Sequence, residues 1–331
     1  MSVSVTLVRG LIEALKHTDA DADALIAAAG IDAALLEDVT ARIDEAQYDR
    51  LHELALDATD DPALGLHLAE RGRLGAFHLI GFLAEHCRTI RDALGVLSRY
   101  RRLLSDAPPP VLAEEGDAAI LTLHFVEGSA RGNRLRAEFG VTAVVRIGQA
   151  TLGLTEAPLR VEFCHHAPPY ADEYTRILQC PVEFGRDAHR IHLRREILDQ
   201  PQIHANRDLF HLLESRAASD LASLESTRPL SVRARAVIVE HYDGTRPAME
   251  EVARRLGISE RSLRRRLHDE GKSFADVVDD ALAELARHLL HDPSLTIQEV
   301  ADRLGFSEPS AFHRAFKRWT GLTPGQVRGE R

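Results

Sequence analysis

Apolar residues recur at helical spacing over 5–17, 21–29, 44–58 and 62–70, and again over 76–86 and 90–104. Positions three and four apart share one face of a helix, so each window predicts an amphipathic helix with a buried side. Thr89 stands just before the last window with Asp92 three residues on, the arrangement of a capped N-terminus. SDAPPP, 105–110, breaks the chain. The pattern then changes period. AAILTLHFVE, 118–127, alternates apolar and polar as a half-buried strand does. Residues 133–153 return to helical spacing, LRVEFCHH (159–166) reads as extended, and 171–179 as helix. CPVEFG (180–185) reads as a strand, and HRIHLRRE (189–196) alternates once more. Helices outnumber strands, so the first two thirds predict an α+β domain, helix-rich with a small sheet, and not a many-stranded barrel. Residues 206–225 form a further amphipathic helix with Leu209, Phe210, Leu213, Leu221 and Leu224 near one side. That side is expected to pack on its own domain, with pairing to a second copy as the alternative.

The last third repeats itself. MEEVARRLGIS, 249–259, and IQEVADRLGFS, 297–307, are identical at seven of eleven positions: Glu251/299, Val252/300, Ala253/301, Arg255/303, Leu256/304, Gly257/305 and Ser259/307. Each copy is a short amphipathic helix ending at Gly, where a left-handed turn is easily formed. Each then enters a second helix. There the offset slips from 48 to 49, so that Leu263 and Leu267 match Phe312 and Phe316 while Arg265 matches Arg314. Helix, Gly-bearing turn, helix is the helix-turn-helix motif, whose second helix enters the DNA major groove. In the second copy Ser307 and Glu308 are expected to cap and charge the helix start, and Phe312, Phe316 and Trp319 to face a core. Val277, Val278, Ala281, Leu285 and Leu289 predict a long helix over 274–290 between the copies, stopped by Pro293, with Thr296 capping the next. Such a spacer would hold two reading heads about one DNA turn, roughly 34 Å, apart.

Charge sharpens this division. The chain of 331 residues carries a net charge of −10, which excludes a protein that coats nucleic acid over its whole surface. From Pro229 to Arg331 there are 17 Lys and Arg against 16 Asp and Glu, net +1, leaving −11 on the rest. Whatever basic surface exists is local. The apolar fraction of 44% and charged fraction of 28% suit an ordinary globular protein. No apolar run approaches a membrane span and no charged-then-apolar leader opens the chain. Cys87, Cys164 and Cys180 are scattered without metal or disulfide spacing, which suits a reducing cytoplasm.

The repeated motif and the closing stretch FSEPSAFHRAFKRWTGLTPGQVR, 306–328, with Gly321, Pro324 and Arg328 in place, resemble the C-terminal DNA-binding domain of AraC/XylS regulators. Val327 stands where the family more often carries an aromatic. FCHHAPPYADEYTRILQCPVEFG, 163–185, is similar to the effector domain often described as arabinose-binding-like; this looser resemblance spans roughly 15–205. It implies a small-molecule sensor without implying arabinose. The expected organisation is an effector domain over 1–228, a linker STRPLS at 226–231, and an all-α DNA-binding domain over 229–331. Its two helix-turn-helix motifs are expected at about 247–270 and 296–319.

Within ERSLRRRLHDE, Leu263 and Leu267 face inward, so Arg261, Arg264 and Arg265 project outward near the N-terminal half, where side chains reach base edges. A guanidinium bonds bidentately to guanine or to phosphate. Arg266 lies more to the side, suited to touching backbone phosphate or to bracing the fold. In the second reading helix Ser310, His313 and Arg314 take the outward positions with Lys317 near phosphate. The bland alternative is a solvated helix face.

Other constellations carry less. Cys164, His165 and His166 are adjacent, and neighbours on a strand point to opposite faces, so no metal site is expected. RYRRLL, 99–104, is expected as a basic, dipole-matched surface turn and not as an anion site. No GxSxG, GxGxxG or P-loop pattern occurs, and no cofactor or catalytic residue is expected. The expected partners are operator DNA, a small-molecule effector, RNA polymerase and a possible second copy of the chain, in the cytoplasm and away from membranes. Two rival readings are an alkyl-transfer DNA-repair enzyme on the same DNA-binding domain, for which three dispersed cysteines are poorly suited, and an architectural DNA binder without a sensor.

Overall fold

The computed structural model describes residues 2–71, 78–125, 128–153, 157–290 and 295–328. It divides into two compact units, Met1–Ser223 and Leu224–Arg331.

The first unit opens with β1 (Ser2–Ser4), which runs into α1 (Val5–Leu15), then α2 (Ala22–Ala28) and a 3-10 turn at Ala33–Glu37. β2 (Arg42–Asp44) pairs antiparallel with β1 and leads to α3 (Glu45–Thr59). α4 (Leu64–Arg71), α5 (His78–Glu85) and α6 (Ile90–Tyr100) follow, the last prolonged by a 3-10 turn at Arg101–Leu103. β3 (Val111–Glu115) and β4 (Ala118–Leu123) form a hairpin, and α7 (Ala130–Leu152) is the long central helix. β5 (Arg160–Glu162), α8 (Ala171–Leu178), β6 (Val182–Glu183) and β7 (His189–Arg194) complete the sheet, followed by α9 (Arg207–Thr227). Strand order is β3-β4-β7-β5-β6, antiparallel throughout except for the β5–β6 pair.

Helices begin where the chemistry allows. Thr89 accepts from the Asp92 N–H at 3.2 Å, as its spacing predicts, and Ser129 accepts from the Gly132 N–H at 3.1 Å, starting α7 three residues earlier than periodicity indicates. α7 packs against α4 so closely that a Cβ on Gly65 would lie 2.6 Å from the Leu135 carbonyl oxygen. The predicted helices and the alternating strands are present. Three strands escape the pattern: β1 and β2 are three residues each, and β3 is an edge strand with four of five residues exposed. Of the window 118–127 only Ala118–Leu123 is strand, and 126–127 lie outside the described residues.

α9 buries Ala217 and sets Phe210, Leu213 and Leu221 against the α5–α6 core, so its apolar side packs on its own unit. The expected linker 226–231 is shorter than its composition indicates. α9 continues through Thr227 and the next helix begins at Leu230, leaving Arg228 and Pro229 between them.

The second unit is all helical: α10 (Leu230–Glu240), α11 (Met249–Arg255), α12 (Glu260–Asp269), α13 (Phe274–Leu290), α14 (Ile297–Arg303), α15 (Pro309–Thr320) and α16 (Pro324–Arg328). One apolar core holds Val252, Leu263 and Leu267 from the first repeat together with Val300, Phe312 and Phe316 from the second. Val277, Val278 and Ala281 of α13 lie within that same core. Pro293, expected to stop α13, lies outside the described residues. Among the described residues, no helix is long and apolar enough to cross a membrane.

Candidate functional site: two reading helices and an interior cavity

Each repeat is a pair of helices joined at a left-handed glycine, Gly257 at φ +69° and Gly305 at φ +72°. α12 is fixed from both sides. Leu263 and Leu267 are fully buried, and Ser259 caps the helix by accepting from the Ser262 N–H at 3.2 Å. Every residue on the far side is therefore turned to solvent: Arg261, Arg264, Arg265 and Arg266 are all exposed. Arg264 pairs with Glu260 one turn earlier at 2.6 Å, an exposed i,i+4 contact worth little and easily exchanged. Arg261 and Arg265 make no hydrogen bond or ion pair among the described residues.

α15 is held by Phe312 and Phe316, both fully buried, with Phe306 and Trp319 packed beside them. Ser310, Arg314 and Lys317 are exposed. His313 differs from expectation in being half-buried, its ring edge-on to Phe312 at 6.3 Å. The cap also differs. Pro309 is the first helical residue, so Glu308 and not Ser307 occupies the N-cap, and Ser310 donates to the Glu308 carboxylate at 3.1 Å. Proline at the first position suits a helix because its missing N–H has no partner to lose. The helix before it is capped as expected: Thr296 accepts from the Glu299 N–H at 3.2 Å while Glu299 accepts from the Thr296 N–H at 2.7 Å. Arg318, on the flank, is committed to Asp279 at 3.1 Å. The structure thus gathers the four first-copy arginines on one exposed side of α12, and Ser310, Arg314 and Lys317 on an exposed side of α15.

The first unit holds a feature that sequence reasoning missed, a partly open cavity of about 240 Å³. α7 lines it with Arg136, Gly140, Val144, Ile147, Gly148 and Thr151, steps of three and four that keep one helix face toward the space. α6 supplies Ile90, Leu94, Leu97 and the adjoining Arg101, and the sheet contributes Leu121, Leu123 and Ile191. The run 99–104, expected at the surface, is therefore split. Arg99 pairs outward with Glu214 at 3.2 Å, whereas Arg101 lines the cavity and donates to the His124 carbonyl at 3.3 Å. Burial pulls the Arg101 guanidinium below its usual range, with Tyr48 opposing it in part.

Around Arg101 most of the other polar groups have partners, although the buried Gln202 Oε1 has none among the described residues. Arg136, 5% exposed, donates to Asp49 at 2.8 Å and to Asn133 at 2.6 Å, while its Nε lacks a partner. Burial opposes ionisation of Asp49, but bonds from Ser129 and Arg136 hold its carboxyl below the usual range. His52 is buried, its Nδ1 lies 2.7 Å from the Tyr48 carbonyl oxygen, and burial beside Arg136 drives its pKa down to about 3, so it is neutral. Burial pushes Tyr48 up to about 12.

The histidine-cysteine run near 164–166 is otherwise occupied. The Cys164 N–H donates to His189 Nδ1 at 3.4 Å, and His165 Nδ1 lies 3.0 Å from the His166 carbonyl oxygen. Among the described residues no group of three or more His, Cys, Asp or Glu could hold a metal.

Residues 20–202 match the family model described as the arabinose-binding domain of AraC transcription regulator, N-term, and residues 252–330 match a helix-turn-helix domain model. The ornithine utilization regulator of Pseudomonas aeruginosa is 27% identical, over 98% of this chain and 96% of its own. An uncharacterized HTH-type transcriptional regulator of Mycobacterium tuberculosis is 28% identical over 91% and 89%. The solved transcriptional regulator CdpR of Pseudomonas aeruginosa is 24% identical, covers 93% of this chain and 96% of its own, and gives a TM-score of 0.45. With its larger family match spanning more than half the sequence and a duplicated helix-turn-helix behind it, the chain belongs to the AraC family of DNA-binding transcription regulators.

Proposed function

We propose that the protein reads a specific operator with α12 and α15 in adjacent major grooves, under control of a small molecule held in residues 1–228. The observation that carries the DNA half is the pairing of two buried seams with two exposed polar faces on helices that follow a helix-turn-helix turn. Arg261, Arg264 and Arg265 read base edges in one groove and Arg266 meets phosphate. Ser310, His313 and Arg314 read the second groove, with Lys317 on phosphate. The half-buried His313 reaches DNA with one ring edge only. The cavity supports a sensor over a purely architectural binder, since most of its wall is apolar and it lies within the matched N-terminal domain.

A cytoplasmic regulator of this kind acts on RNA polymerase, and a second copy of the chain is the natural partner for a repeated operator. The alkyl-transfer alternative is disfavoured by the cysteines themselves. A transferable-group acceptor needs a thiol with a lowered pKa. Here burial raises Cys87 to about 12 and Cys180 to about 11, and raises Cys164 as well.

Selection of operators from random-sequence DNA, followed by footprinting, tests the reading. The expected result is two protected patches on one face of the duplex, roughly one helical turn apart. A single patch no wider than one groove, or no selected sequence, would sink it. The fragment 229–331 should retain the same sequence preference, and the full chain should change affinity or spacing preference when effector is added, by the 1–3 kcal/mol or so typical of coupled sites.

A further inference from the structure

Among the described residues, the charges lining the cavity do not cancel. Of its two guanidinium groups, Arg136 is neutralised by Asp49 at 2.8 Å. Arg101 has no carboxylate within ion-pair distance among the described residues, and its one hydrogen bond runs to the His124 carbonyl. Tyr48 and both guanidinium groups line the same space. His52 beside them is neutral. Among the described residues, then, Arg101 borders a mainly apolar cavity without an ion-pair partner, and four of its five N–H donors make no bond there. A buried, unpaired charge is costly, and the cost falls when an anion arrives with a matching acceptor pair.

Shape restricts what can bring that anion. Along α7 the lining runs from Arg136 to Thr151, about 22 Å at a rise of 1.5 Å per residue. A cavity of roughly 150 Å³ accommodates benzene, so 240 Å³ holds an apolar body of about ten carbons by the same measure. Apart from Arg101 and Arg136 the walls are mainly aliphatic, with Leu94, Leu97, Val144 and Ile147 among them. A sugar would leave most of its hydroxyls without partners against such mainly apolar walls, and a cation would be repelled by Arg101.

We infer that the cavity binds an amphipathic monocarboxylate, its carboxylate on Arg101 and its aliphatic body of about ten carbons lying along α7. This rests on reading the N-terminal unit as the sensor and names the chemical class it senses. Gly148 supplies an internal control. It faces the cavity, and a Cβ built there would meet nothing within 4 Å, so a larger side chain enters the empty space without displacing the fold.

The test is thermal unfolding and titration calorimetry on the full-length chain with sodium decanoate, against 1-decanol, decylamine and L-arabinose at equal concentration. Decanoate should raise Tm and bind at least tenfold more tightly than any of the three. Arg101→Gln should weaken decanoate binding tenfold or more, while Arg101→Lys retains part of it. Gly148→Leu should abolish binding while leaving the unliganded Tm unchanged or higher. Equal binding of decanol or L-arabinose overturns the ligand class, as does undiminished decanoate binding to Arg101→Gln. If Arg101→Gln fails to fold, Gly148→Leu decides alone, and undiminished binding there places decanoate outside the cavity and ends the proposal. Operator affinity separates this inference from the sensor reading. Decanoate that binds through Arg101 and leaves operator affinity unaltered breaks the sensor reading and keeps the ligand class. An operator response to L-arabinose and none to decanoate does the reverse.

Discussion

The two helix-turn-helix copies share seven of eleven residues through first helix and turn, yet they start their second helices differently. From the end of α11 to the start of α12 there are four residues, 256–259; from α14 to α15 there are five, 304–308. That single residue is the slip from 48 to 49 seen in the repeat, and it lies in the turn. Its effect falls on an identical pair. Ser259 caps α12 with its side chain, whereas Ser307 stands one place outside α15, whose N-cap is Glu308. The glycines diverge as well. Gly257 has open space where a Cβ would be, but a Cβ on Gly305 would lie 2.1 Å from the Gly244 carbonyl oxygen. Sequence identity in a duplicated motif therefore preserves the scaffold and not the duty of each residue. The outward faces of the second helices have separated furthest, with four exposed arginines on one and exposed Ser310, Arg314 and Lys317 beside the half-buried His313 on the other.

The sharpest break should come at the glycines. Both hold a left-handed conformation that costs an L-residue about 1–2 kcal/mol, and Gly305→Ala adds a backbone collision worth roughly 1–3 kcal/mol more. Urea unfolding should show Gly305→Ala about 3 kcal/mol less stable than the parent and Gly257→Ala only about 1–2. Equal losses would mean that the two turns are equivalent after all.

DNA binding should come next. Arg265→Ala and Arg314→Ala should each cost about 1–3 kcal/mol at the selected operator and relax preference at one or two base pairs. His313→Ala, starting from a half-buried ring, should cost less than about 1 kcal/mol. Lys317→Ala should weaken all sequences alike and lower the salt slope by about one, measured by titration across ionic strengths. A specificity ratio unchanged by Arg265→Ala would remove α12 from base readout.

The smallest effects sharpen the comparison most cleanly. Ser259→Ala should lose about 1 kcal/mol of stability as a cap is removed. Ser307→Ala should fall within about 0.5 kcal/mol of the parent, as an ordinary surface change does. Similar losses at the two serines would show that Ser307 caps α15 in solution.

Much of this was legible along the chain because its signals are local. The 3.6-residue spacing of Leu263 with Leu267, and of Phe312 with Phe316, orients α12 and α15 without knowledge of the rest. It thereby places Arg261, Arg264, Arg265, Arg314 and Lys317 on the outside. Capping pairs such as Thr89 with Asp92 and Thr296 with Glu299 are likewise local chemistry. Short strands were not legible. β1 and β2 are three residues each, and their partners stand about 40 positions away, so pairing and not pattern creates them.

Sequence by itself determined that the chain ends in a duplicated helix-turn-helix, which faces of its second helices are buried, and that a helix-rich α+β unit precedes it. Only the tertiary structure decided that His313 is half-covered, that Glu308 and not Ser307 is the cap ahead of Pro309, and that Arg101 turns inward from a run of basic residues. The reason is physical. Periodicity records which side of a helix avoids water, but whether a charge at that boundary meets solvent, a carboxylate or an apolar cavity depends on residues distant in sequence. For Arg101 those are His124 across the fold and the α7 face from Arg136 to Thr151.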